Sequence, residues 1–143
     1  MKVYLDTCCY GRPFDDRTQS IIDSEAIAVL TVVDMCHIVG YCIIGSDMIA
    51  VEINDIPDIA LKREINDFYS DAVDVFATIT IEDAIRAQTY QTVAHIKVKD
   101  SIHLVSAEAA GASVLLTTDK DFIKKAEKVN SAVKVMNPLN FKL

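Results

Sequence analysis

At 143 residues, with 51% hydrophobic and 24% charged residues and only four glycines and three prolines, the chain has the composition of one packed domain spanning 1–143. That balance excludes a disordered or low-complexity segment. Twenty-one acidic against fourteen basic residues give a formal charge of −7, which excludes broad, sequence-independent adhesion to a polyanion.

In chain order, Lys2 to Leu5 reads as a short buried strand, and Cys9 to Asp16, punctuated by Gly11 and Pro13, as a turn-rich segment. From Gln19 to about Met35, Ile22, Ala26, Val29, Leu30 and Val33 recur at helical spacing. His37 to Ile44 is rich in β-branched residues and bounded by Gly45-Ser46, which predicts a second strand. Ser46 or Asp47 can cap a helix carrying Met48, Val51 and Glu52, and another helix follows Pro57 through Leu61, Ile65 and Phe68. Val75 to Ile81 reads as a third strand, Glu82 to Ala94 as a helix, Lys97 to Lys99 as a break, and Asp100 to Ala110 as a helix stopped by Gly111. Ser113 to Thr117 is a strand, Asp119 to Val129 a helix, and Val133 to Met136 a last strand before Pro138. Alternating helices and almost uniformly apolar strands predict an α/β fold with a parallel sheet covered on both faces.

The four cysteines form no C-x-x-C pair, and the three histidines do not stand at zinc spacing beside them. No apolar run approaches ~18 residues, and Met1-Lys2 leads directly into the first strand without a signal-like stretch. The expectation is a cytoplasmic protein with reduced thiols and no membrane contact.

Four carboxylates stand where this fold places ligands, beyond the carboxyl ends of strands. Asp6 ends the first strand and Asp119 follows the fourth; Asp100 opens the late helix, and Glu52 interrupts the apolar run Met48 to Ile53. A charge on such a run calls for a partner or an ion. Converging like charges ~4 Å apart would repel by about 4 kcal/mol per pair at an effective dielectric near 20, which a divalent cation relieves. All-oxygen sites suit Mg²⁺ or Mn²⁺. Taken singly, Asp100 and Asp119 fit helix N-caps equally well, Asp6 a turn, and Glu52 an exposed helix face.

At these residues the sequence resembles the PIN-domain family, and within it the VapC-like ribonuclease toxins. The resemblance rests on Tyr4-Leu5-Asp6-Thr7, Glu52, Lys99-Asp100-Ser101-Ile102-His103-Leu104 and Leu116-Thr117-Thr118-Asp119-Lys120-Asp121-Phe122, and it spans essentially the whole chain. It implies a three-layer α/β/α fold with about five parallel strands. It also implies a Mg²⁺- or Mn²⁺-dependent endoribonuclease that cuts RNA with a metal-activated water. Asp6, Glu52, Asp100 and Asp119 would hold the metal, with Thr117 and Asp121 in support. Lys99 and Lys120 flank those motifs, and Arg12 is placed to meet a phosphate. An antitoxin partner and a homodimer formed by apolar helix faces are further implications of the toxin type.

His103, three residues past Asp100, either faces the cleft or packs beside Leu104, the packed reading being preferred, and Cys8-Cys9 reads as core packing. Cys8 departs from the family's usual aspartate-threonine-asparagine. It keeps open the alternative of a catalytically weak module that binds RNA or protein. A receiver-type Mg²⁺-binding signalling domain would need a phosphoacceptor aspartate on a central strand, where Val75 to Ile81 has none.

Overall fold

The computed structural model describes residues 1–143. Five strands, β1 (Lys2–Leu5), β2 (Cys42–Gly45), β3 (Val75–Phe76), β4 (Val114–Leu116) and β5 (Lys134–Met136), form one sheet in the order β3-β2-β1-β4-β5, every neighbouring pair parallel. Seven helices connect them: α1 (Thr7–Gly11), α2 (Ser20–Val39), α3 (Asp47–Asn54), α4 (Ile59–Ala72), α5 (Ile81–Ala94), α6 (Val98–Ala109) and α7 (Lys120–Ala126). Strands β1 to β3 step outward in one direction and β4 to β5 in the other. Right-handed crossovers therefore lay helices on both faces. Val3, Tyr4, Leu5, Ile43, Ile44, Leu115 and Leu116 are fully buried, as the apolar strand runs require.

Chain direction reverses its sideways step between β1 and β4, and the crevice beyond their carboxyl ends is the switch point. Register fixes which residues meet there. Leu5 pairs with Leu116 and the Asp6 amide donates to the Leu116 carbonyl at 2.9 Å, so Asp6 and Thr117 leave the sheet side by side.

Three elements differ from the sequence expectation. The segment after Asp6 is helical, with α1 followed by a 3₁₀ turn at Arg12–Phe14, because Asp6 accepts from the Thr7 amide and Pro13 suits a first helical turn. Helix α2 runs on through His37-Ile38-Val39 and stops at Gly40, whose φ of 80° is the left-handed cap conformation. The third strand is only Val75–Phe76, since Thr80 and Asp83 exchange hydrogen bonds as a capping box that starts α5 at Ile81.

Gly45 ends β2 at a close approach. A Cβ there would lie 2.6 Å from the Tyr69 hydroxyl and 2.9 Å from Val73 Cγ1, so only glycine lets α4 and β3 pack this tightly. Tyr69 uses the space to accept from the Ser46 amide at 3.1 Å, and Ser46 in turn caps α3 through the Ile49 amide. The start of the helix that carries Glu52 is thereby held against the sheet.

Candidate active site

Asp6 is 6% exposed and its two oxygens are separately held. Oδ1 accepts from the Thr7 amide at 2.7 Å, and Oδ2 from the Thr117 hydroxyl at 2.8 Å. Thr117 Oγ1 also accepts from the Asp119 amide at 3.1 Å, so one hydroxyl links the ends of β1 and β4. Glu52, projecting from α3, has Oε1 fixed by the Thr7 hydroxyl at 2.9 Å and by His103 Nε2.

His103 is fully buried, in keeping with a packed helix residue, yet its ring is the hub of a polar chain. Nε2 faces Glu52 Oε1 and stands 3.2 Å from Asp6 Oδ1. Nδ1 meets the Tyr4 hydroxyl at 2.6 Å, and Tyr4 continues to Ser46 Oγ at 2.6 Å. Asp6, Glu52 and His103 each bring a ligand atom within 4.8 Å of the others, a compact O,O,N set. The i, i+3 spacing of Asp100 and His103, which puts both on one helix face, was the available signal for the histidine.

Charge in this pocket is strongly coupled. Burial opposes ionising the His103 ring, but the hydrogen bond to Glu52 and the charges of Asp6, Glu52 and Asp100 outweigh it and raise its pKa. Burial likewise pushes Glu52 up, and the His103 contact, Thr7 and the nearby Lys99 outweigh it to leave a net lowering. Asp100 is pushed up to about 6 by burial, then by the charges of Asp6 and Asp119. A divalent cation would neutralise the carboxylates gathered here, and the donor set fits one.

Of the four expected carboxylates, Asp100 and Asp119 lie outside this compact set. Asp100 sits in the first turn of α6, where Lys97 and not Asp100 is the cap residue. Asp119 caps α7, its Oδ1 accepting from the amides of Asp121 at 3.0 Å and Phe122 at 3.2 Å. Asp121 pairs with Lys125 at 3.0 Å, and Lys120 is exposed at the helix start. Arg12 is engaged within the protein: Nη1 with Asp15 at 2.9 Å, Nη2 with Thr118 Oγ1 at 3.0 Å, and Nε facing Glu25 at 3.3 Å. Cys8 is not simple core packing. Its sulfur lies 3.5 Å from Asp6 Oδ2, 3.4 Å from Thr117 Oγ1, and accepts from the Thr118 amide at 3.4 Å.

The PIN domain family model matches residues 3–128. Among solved structures, VapBC2 from Rickettsia felis, bound to a DNA fragment from its promoter, has 14% identity and a TM-score of 0.65, covering 96% of this chain and 98% of that chain. FitAcB from Neisseria gonorrhoeae has 14% identity and a TM-score of 0.60, covering 97% and 99%. No curated protein matches the chain. With the family match spanning both strand-end aspartates and the helices between them, the chain belongs to the PIN domain family, whose members are generally nucleases that hydrolyse phosphodiester bonds.

Proposed function

We propose that this chain is a Mg²⁺- or Mn²⁺-dependent endoribonuclease, and the toxin of a toxin–antitoxin pair. The observation that carries the reading is the convergence of Asp6 and Glu52, with Asp100 pushed up to about 6 beside them, at the switch point of the sheet. Asp6, Glu52, Asp100 and Asp119 would hold the ion, Asp6 and Glu52 most directly. When bound, such an ion supplies Lewis acidity toward a phosphate oxygen and lowers the pKa of a water.

The chain's own residues do the positioning. Thr7 and Thr117 hold Asp6 and Glu52 by hydrogen bonds that leave carboxylate lone pairs free. His103, braced by Tyr4, fixes the side chain of Glu52. Asp121 sits in the first turn of α7, where its charge favours the helix start and supports Asp119. Lys99 and Lys120, flanking the acidic centre, would meet the RNA backbone and offset the overall charge of −7.

Incubating structured RNAs with the protein in Mn²⁺ or in EDTA, beside an Asp6→Asn variant, tests the chemistry. Cleavage that persists in EDTA or in the variant would sink it. An antitoxin is supported by the fold shared with VapBC2, and growth arrest on expression, relieved by a neighbouring gene product, is its test. A homodimer is supported by Ile81, Ile85 and Val93, 77%, 57% and 63% exposed on α5, and light scattering should return twice the chain mass. No helix is long and apolar enough to cross a membrane, which is compatible with a cytoplasmic site of action.

A further inference from the structure

Glu25 on α2 is a carboxylate with a 5% exposed side chain that stands outside the acidic centre. Its partners are Arg12, at 3.3 Å from Oε1, and Asn137, whose side-chain amide donates to Oε2 at 2.5 Å. Burying an ion pair is costly, and an apolar pair would join α2 to the Arg12–Phe14 turn at least as well. What the ion pair adds is direction. A guanidinium is a planar fork with fixed angles, so Glu25 on one edge and Asp15 on another determine where its last nitrogen points. Arg12 Nε makes no hydrogen bond although Glu25 Oε1 lies 3.3 Å away, so charge holds that edge, while Nη2 donates to Thr118 Oγ1 at 3.0 Å.

Thr118 lies between the two residues that shape the acidic centre from β4. Its side chain is held by Arg12 and its amide by the Cys8 sulfur. Thr117 before it bonds Asp6, and Asp119 after it is tied back to Thr117 through its amide. Thr117 and Thr118 are thus anchored to residues 6–12, and Asp119 follows through Thr117. We propose that Arg12, aimed by buried Glu25, is a positioning residue that holds Thr117–Asp119 in register with Asp6, and not a contact to the RNA backbone. This rests on the metal-nuclease reading for its consequence in catalysis.

Thr118→Val removes the hydroxyl while leaving the Arg12–Glu25 pair whole, and Thr118→Ser restores it; Glu25→Gln releases the guanidinium from behind. Hydrogen exchange on the full chain should speed on the order of tenfold at the amides of Asp119, Asp121 and Phe122 in Thr118→Val and Glu25→Gln, and return toward the original rate in Thr118→Ser. In the cleavage assay, half-saturating Mn²⁺ should rise about 10- to 100-fold with KM for RNA and its salt dependence unchanged. Exchange at the original rate in both variants overturns the proposal whether or not the chain cleaves RNA. So does an Arg12→Lys or Glu25→Gln variant with unchanged Mn²⁺ dependence, a raised KM and a salt slope shallower by about one, the signature of a phosphate contact. Failure of the nuclease reading shows separately, as no Mn²⁺-dependent cleavage by the unaltered chain.

Discussion

Two of the polar networks in this protein are built on opposite plans. Between α5 and α6, Glu108 accepts from Arg86 Nε at 2.7 Å, from the Tyr90 hydroxyl at 2.8 Å and from the Ser131 hydroxyl at 2.6 Å, while Arg86 also reaches Asp83 at 2.9 Å. Each carboxylate there has a cation or hydroxyl facing it. The hydrogen bond that Arg86 donates to Glu108 raises the Arg86 pKa further, and burial, followed by the Glu108 contact, pushes Tyr90 up to about 12. At the switch point the same chemistry is less balanced: Asp6 and Glu52 share His103, and Asp100 is pushed up to about 6 by burial and then by the charges of Asp6 and Asp119. A network closed on itself serves the fold, and one left short of positive charge is open to a ligand.

The sharpest way to break this contrast is to neutralise each side. Asp6→Asn should lower Mn²⁺-dependent cleavage by about 10³-fold or more, since it removes a centrally held carboxylate, while the melting temperature stays level or rises. Glu108→Ala should do the reverse. It leaves Arg86 and two hydroxyls short of an acceptor, costing about 2 kcal/mol and lowering Tm by about 6 °C, with cleavage per folded molecule unchanged. If Glu108→Ala abolished cleavage at full stability, the division between the two networks would fail.

Asp100→Asn probes the imbalance itself. A carboxyl whose folded pKa is raised to about 6 favours folding below its unfolded value near 4, and that contribution is lost as pH rises through 6. Without added metal, Asp100→Asn should therefore stabilise the protein at pH 8, by about 3 °C in Tm once solvent screening of this part-exposed group is allowed for, and make no difference near pH 3. Thermal melts at the two pH values check the sign; a loss of stability at pH 8 would refute it. The smallest expected effect is at Cys8, where weak sulfur contacts worth about 1 kcal/mol support Asp6, so Cys8→Ala should raise half-saturating Mn²⁺ by about fivefold.

Sheet and site differed in how far they could be read from sequence. Strands β1 and β4 were legible because buried parallel strands are short apolar runs, and Asp6 and Asp119 stand just past them. Ile38 and Val39 look like strand but extend α2, because a left-handed Gly40 decides where that helix stops and side-chain preference only biases it. Of the simpler readings, the cap holds for Asp119 on α7 and fails for Asp100, where Lys97 precedes the helix, while Asp6, read as a turn residue, caps α1. His103 was the hidden member. Its neighbours Leu104 and Val105 are fully buried, so burial alone accounts for its helix face, and only the fold brings Glu52 to its ring from 51 residues away.

The Thr117–Asp6 hydrogen bond joins residues 111 apart in the chain. During synthesis, β1 emerges first and waits for β4 before either strand-end aspartate has its final surroundings. A nascent chain shorter than about residue 119 holds Asp6 and Glu52 without the hydroxyl and helix start that complete them. The acidic centre is therefore complete only once β4 and the start of α7 have followed β1 into place.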